Sequence, residues 1–298
     1  MTLAISRPGQ ASLSRAGLRS ALIALCLTET TSYGVLYYAF PVMATQISAT
    51  TGWSTISITA GFSAAQLIAA LVGIPVGRWL DHHGPRLVMT AGSALAVLAT
   101  VMIALAPSLP LFIVAWLLAG VAMGAVFYPP AFTALTRWYG EHRVRALTWL
   151  TLAAGLASTV FAPTTARLLQ EWGWRNTFLI LAAVLAVVTI PAHWWGLRAP
   201  WPALPAPALT RADAQATNTP AAIVRSLPFV AITTGLSLAS FAAFAAVISL
   251  VPLLLERGLD TGTAALALGL GGAGQVAGRS PTRTCPDIST CVRGPCSS

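Results

Sequence analysis

Eight apolar runs, each near the length of roughly 20 residues that carries a helix across about 30 Å of hydrocarbon, dominate this chain. They lie near residues 20 to 44, 55 to 77, 87 to 106, 110 to 136, 146 to 167, 176 to 196, 227 to 255 and 263 to 279. Backbone N–H and C=O groups in hydrocarbon must bond within the chain, which leaves helices and closed barrels as the spanning structures. The runs are continuous instead of alternating, so they read as helices. Only 8% of the residues are charged, against about a quarter in an ordinary soluble domain. The chain is therefore expected to be an all-α membrane protein.

The charged residues set the order of these spans. The formal charge is +9, from seventeen Arg and no Lys, but the Arg are scattered between apolar runs and form no single basic face for a nucleic acid. With the N-terminus in the cytoplasm, Arg7, Arg15, Arg19, Arg78, Arg86, Arg137, Arg143, Arg145, Arg198, Arg211 and Arg225 fall inside, and Arg167, Arg175 and Arg257 fall outside. Basic residues favour cytoplasmic loops, so the chain is expected to be a multi-pass protein of the plasma (inner) membrane in that orientation. A cleaved signal peptide is disfavoured because the first run continues past Glu29 to Met43 with no small-residue cleavage site. The predicted units are a basic tail (1–19), a six-span bundle (20–196), a Pro-rich cytoplasmic linker (197–226), two further spans (227–279) and a disordered tail (280–298).

Residues 73–89 join the second and third runs by a glycine-punctuated turn. Gly77-Arg78-Trp79-Leu80-Asp81-His82-His83-Gly84-Pro85-Arg86 resembles the loop between spans 2 and 3 of the major facilitator superfamily, Gly-x-x-x-Asp-[Arg/Lys]-x-Gly-[Arg/Lys]-[Arg/Lys]. His82 and Pro85 depart from it at usually basic positions. The six-span half, the Gly173-Trp174-Arg175 entry to span 6 and the cluster Arg137, Arg143 and Arg145 are also similar to the family. Tyr33-Gly34-Val35-Leu36-Tyr37-Tyr38 with Gly52-Trp53-Ser54 resembles bacterial relatives of monocarboxylate carriers. The resemblance implies a six-helix bundle followed by two helices of a second bundle, and a cytoplasmic latch at Gly73, Gly77, Arg78, Asp81, Gly84 and Arg86. Gly73 and Gly77 lie one helical turn apart and are expected to let span 2 approach a neighbour. Asp81 is expected to accept hydrogen bonds that differ between two conformations. The alternative is a basic turn that only orients the hairpin.

Glu29 lies nine residues into the first run, roughly 13 Å of helix rise. An ionised acid at mid-depth costs about 2.5–3.5 kcal/mol on insertion scales, so Glu29 is expected to meet a wet cavity or a partner, or to be protonated. Tyr33 and Tyr37 follow at i+4 and i+8 and extend the stripe. Glu29, Tyr33, Tyr37 and Gln66 are candidates for a solute or proton pathway. Gln66 and Gln275 also fit interhelical hydrogen bonds, and Gly120 with Gly124 fits close helix packing. His82 and His83 lack the spacing of a metal ligand set. The chain resembles no nucleotide-binding loop and groups no nucleophile with a base, so neither an ATP-driven pump nor an enzyme is expected, and no cofactor.

The composition changes after Arg279, where three of the four Cys, three Pro and seven Ser or Thr follow in nineteen residues. The Cys spacing forms no disulfide framework. The tail is expected to come from truncation or a frame change, with the family's spans 9 to 12 absent. The predicted function is secondary active transport of a small solute, coupled to protons or another ion, by alternating access. The partners are that solute, protons and membrane lipid, with no nucleic acid. The competing reading is a non-transporting remnant or a membrane binding or regulatory protein.

Overall fold

The computed structural model describes residues 14–202 and 224–279. Among these residues there are helices and turns and no strand. Helix α1 (Arg15–Tyr33) passes through one π-helical turn (Gly34–Tyr38) into α2 (Ala39–Thr51), giving one rod over 15–51. It is followed by α3 (Thr55–His83), α4 (Pro85–Leu105), α5 (Leu109–Val126), α6 (Tyr128–Tyr139), α7 (Arg143–Gly155), α8 (Ala157–Gly196), α9 (Leu227–Glu256) and α10 (Thr261–Arg279). Ser14 and Ser54 cap α1 and α3 by accepting from the N–H groups of Gly17 and Ser57.

Among the described residues, four continuous stretches have the length and hydropathy of a membrane crossing: Thr55–His83, Pro85–Leu105, Leu109–Gly196 and Leu227–Glu256. The third has 88 residues and as one straight helix would measure about 130 Å, several times the hydrocarbon thickness. It reverses at the 3-10 turn Gly140–His142, where Gly140 has φ 51°, and at Gly173, where φ is 70° inside α8. Two softer breaks occur within crossings. One is at Phe127, just before Pro129 and Pro130, and the other is at Leu156 between α7 and α8.

Contacts between the crossings fix their directions. Arg175 donates to the carbonyls of Ala104 and Ala106, and His193 meets Ser93, so residues 174–196 run antiparallel to α4. Thr30 donates to Ala153 O and Trp174 to Thr50 Oγ1, so residues 143–172 run parallel to the first rod. The turns therefore gather at two ends. Asp81, Arg86, Arg137, Tyr139, Trp194 and Trp201 meet at the basic end, and Thr50, Ala104, Trp174 and Arg175 meet at the far end.

The core is aromatic at its centre. Phe40 stacks on Phe62 at 4.3 Å, and Trp116 stands edge-on to both. The glycine pair that fits close packing does so: a Cβ on Gly120 would strike Ala65 O, and one on Gly124 would lie 2.9 Å from Ala69 O. Without side chains there, α5 touches the backbone of α3 directly. Helix α10 seats Gly269 and Gly272 against Ser158 and Thr159, and Thr159 Oγ1 donates to Gly269 O at 2.7 Å. Helix α9 leans on the bundle only toward its far end, where Val251 is buried; residues 227–246 are exposed.

Part of the expected linker belongs to the bundle. Leu197 is buried, and Trp201 packs on Gly84. Apolar side chains draw these first residues into the base although the prolines suggested solvated chain throughout. Linker residues 203–223, the tail at 280–298 and the N-terminal residues 1–13 lie outside the described residues.

Candidate functional site

The turn at Asp81 is held by its main chain more than by its carboxylate. The Asp81 carbonyl accepts from Arg137 Nη1 at 2.9 Å and from Trp201 Nε1 at 3.2 Å. The nearest approach of the Asp81 carboxylate to Arg137 is 3.8 Å, and that side chain is 47% exposed. The Arg137 guanidinium lies 4.6 Å from the centre of the Trp201 ring, and Trp138 Nε1 donates to Pro200 O at 3.1 Å. Gly84 closes the reversal with φ 78°, and its missing Cβ leaves room for Trp201 at 3.1 Å. The last turn of α6 and the segment that follows α8 thus form one clasp beneath Asp81.

The other motif residues lie around this clasp, not in it. Arg86 donates from Nε to Trp194 O at 2.9 Å and stacks on the Trp194 ring at 4.1 Å. Arg78 is exposed, and His83 stacks on Trp79. Gly73 and Gly77 face open space among the described residues: apart from their own helix, nothing lies within 4 Å of where a Cβ would sit on either. Small residues permit close approach but do not supply the neighbour, and among the described residues α3 makes its close contact through the face that meets Gly120 and Gly124.

A cavity of about 960 Å³ lies between α3 and α9. Thr59, Ser63 and Gln66 line one wall; Thr233, Ser237 and Ser240 line the other. On both helices the spacing is i, i+4, i+7, which sets polar groups on one face. That face was legible as a polar stripe in otherwise apolar runs, although only Gln66 stood out as a candidate. Gln66 is positioned by a 3.6 Å contact from Nε2 to Met123 Sδ on α5. Gln275 is exposed on α10. Among the described residues, no charged side chain lines the cavity.

Glu29, Tyr33 and Tyr37 follow one another on the first rod, and Tyr37 touches a residue of this cavity. Tyr33 stacks on Phe127 at 4.0 Å, at the break between α5 and α6. Tyr37 meets Phe244, a cavity residue, edge-on at 5.4 Å. The two tyrosine rings stay adjacent at 6.4 Å through the π-helical turn. Glu29 is fully buried, and among the described residues neither of its carboxylate oxygens has a hydrogen-bond partner; the Tyr37 hydroxyl is in the same condition. Glu29 does not line the cavity. The π turn begins at Gly34, where a Cβ would overlap the Phe161 ring. Such turns insert a residue without ending the helix and recur at functional sites.

His193, not among the candidates above, is fully buried with Nδ1 2.7 Å from Ser93 Oγ. A lone His in an apolar run was the available signal.

The chain is similar to known proteins in sequence and in fold. A family model described as the Major Facilitator Superfamily matches residues 25–283. Monocarboxylate transporter 11 of Homo sapiens is 31% identical over 253 residues, covering 83% of this chain and 52% of that protein. The oxalate:formate antiporter of Oxalobacter formigenes is 24% identical over 170 residues, covering 57% of this chain and 39% of that protein. The chain thus spans about half the length, or less, of these curated relatives. A crystal structure of a bacterial homolog of the human lysosomal transporter Spinster, inward-facing and occupied, superposes with a TM-score of 0.71 at 19% identity. That match covers 88% of this chain and 60% of the other.

Proposed function

The chain belongs to the major facilitator superfamily, and on that footing we propose that it forms the pathway of a secondary carrier moving a small carboxylic acid together with a proton. The observation that carries this reading is the cavity between α3 and α9. Its volume of about 960 Å³ suits a small organic solute, and its walls offer hydroxyl and amide groups. The names of the relatives, monocarboxylate transporters and an oxalate:formate antiporter, favour a carboxylic acid. A bare carboxylate desolvated among neutral groups is costly. An acid that enters with its proton needs no fixed cation, which agrees with an uncharged lining.

Glu29 is proposed as the proton-carrying group, with Tyr33 and Tyr37 linking it toward the cavity and Gln66 contacting the solute. The basic end is assigned to the cytoplasm, since short loops there hold most of the Arg. In that orientation the exposed first half of α9 leaves the cavity open to the cytoplasm. The clasp of Asp81, Arg137 and Trp201, with Gly84 at its turn and Gly73, Gly77, Arg78 and Arg86 around it, is proposed to rearrange as access alternates. The half-exposed Asp81 carboxylate then serves as the acceptor for a second conformation.

Ser240→Cys in a variant freed of the native cysteines tests the pathway. A membrane-impermeant thiol reagent added from the cytoplasmic face should label it, and a small carboxylic acid should protect it, more strongly at low pH. Labelling that no carboxylic acid slows would overturn the assignment.

A further inference from the structure

A second concavity lies against the first rod and shares no lining residue with the α3–α9 cavity. At the basic end, between the start of α1 and the start of α7, a recess of about 560 Å³ is lined by Arg15, Arg19, His142 and Arg145. Among the described residues, no acidic side chain lines it. Tyr139 is fixed in its wall by donating from its hydroxyl to Leu18 O at 2.9 Å. Leu22 and Trp149 close its upper edge, and both also begin the next cavity.

That next cavity, of about 780 Å³, is a groove between α1, α7 and the start of α8, with α10 at its side. Its walls are apolar, from Cys26 and Leu27 on one helix to Leu152, Leu156 and Val160 on the other. Leu22 to Thr30 on α1 is eight residues of helix, about 12 Å of rise. Half of a hydrocarbon core is about 15 Å. The groove therefore reaches from the basic end close to the membrane midplane and stops there.

We infer that the two concavities form one binding site for an anionic phospholipid, with its phosphate against Arg15, Arg19 and Arg145 and one acyl chain along the groove to Val160. Three features select this occupant. The cationic mouth is complementary to a phosphate. The groove has the depth of one leaflet. The indole of Trp149 sits at the junction of the two, where an amphipathic ring prefers the interface. Basic recesses between membrane helices bind lipid head groups in this manner. The site shares no residue with the α3–α9 cavity, so it does not depend on the solute proposed above.

Native mass spectrometry of the purified full chain, titrated with phosphatidylglycerol or with phosphatidylcholine of the same acyl chains, tests the site. Each Arg near an anionic head group is worth about fivefold in affinity, so R15Q/R19Q/R145Q should weaken phosphatidylglycerol binding by about a hundredfold. Arg225→Gln, at the same end but outside the recess, should leave it unchanged. Leu156→Trp, which fills the groove from an exposed position, should weaken both lipids. Equal binding of the two lipids, equal losses in the triple variant and Arg225→Gln, or displacement of the lipid by inorganic phosphate alone would overturn the site.

Discussion

Replacing Asp81 by Asn should change stability far less than replacing Arg137 by Ala, although Asp81 is the residue that the sequence motif marks. The Arg137 side chain gives a charge-assisted hydrogen bond to the Asp81 carbonyl, a contact worth about 1.5–3 kcal/mol, and stacks on Trp201 for about 0.5–1 kcal/mol more. Its approach to the Asp81 carboxylate is 3.8 Å with the acid 47% exposed, a pair worth about 0–1 kcal/mol after solvent screening. Trp201 still donates to the Asp81 carbonyl when Arg137 is lost, so no acceptor is orphaned and the cost stays near the low end, about 2 kcal/mol. Thermal unfolding in detergent, followed by tryptophan fluorescence, should then show Arg137→Ala lowering Tm by about 4–6 °C. Asp81→Asn should shift it by about 2 °C or less. A loss in Asp81→Asn as large as in Arg137→Ala would refute the main-chain clasp and return the carboxylate to the central structural role.

Two glycine pairs should respond in opposite ways. Gly120→Val forces a side chain into the α3 backbone and should cost about 1–3 kcal/mol, whereas Gly73→Ala fills open space within a helix and should be neutral or stabilising by roughly 0.5–1 kcal/mol; chemical denaturation of each variant measures both. Gln66→Leu removes one neutral donor from the cavity wall and should raise the apparent KM for the solute about fivefold with the fold intact. Asp260 accepts from the Thr263 hydroxyl at 2.6 Å and the Thr263 amide at 3.0 Å, and these bonds hold its carboxyl below the usual carboxylate range. A lowered acid contributes stability above its unfolded value that is lost as pH falls through the folded one, so hydrogen exchange at the start of α10 should accelerate only in strong acid, and Asp260→Ala should make it fast at neutral pH.

Helix positions were legible because hydrocarbon leaves an apolar run few alternatives. Even the breaks had signals, in Pro129-Pro130 and in Gly155. What was not legible depended on which neighbour a face meets. Gly73 and Gly120 both announce a small-residue face, and only the packing of α3 on α5 decides that Gly120 is the crowded one. At Gly34, the first residue of the π turn, the Phe161 ring of α8 lies where a Cβ would sit, and no spacing within the first run encodes that contact. Trp201 read as part of a proline-rich linker because composition averages over a segment, while its indole is drawn in by Asp81, Arg137 and the bare face of Gly84. The stripe of Glu29, Tyr33 and Tyr37 was visible from helical periodicity, and the structure adds that Tyr37 reaches the cavity through Phe244 while Glu29 stays one turn and more behind it.

Uptake by proteoliposomes holding the purified chain and an imposed pH gradient tests proton-coupled transport most directly. A small carboxylic acid should accumulate against its gradient when the outside is acidic, a protonophore should abolish the accumulation, and Glu29→Gln should lose it while retaining the fold. Accumulation that persists in Glu29→Gln or ignores the protonophore, or the absence of any carboxylic acid flux from correctly folded protein, would contradict the account.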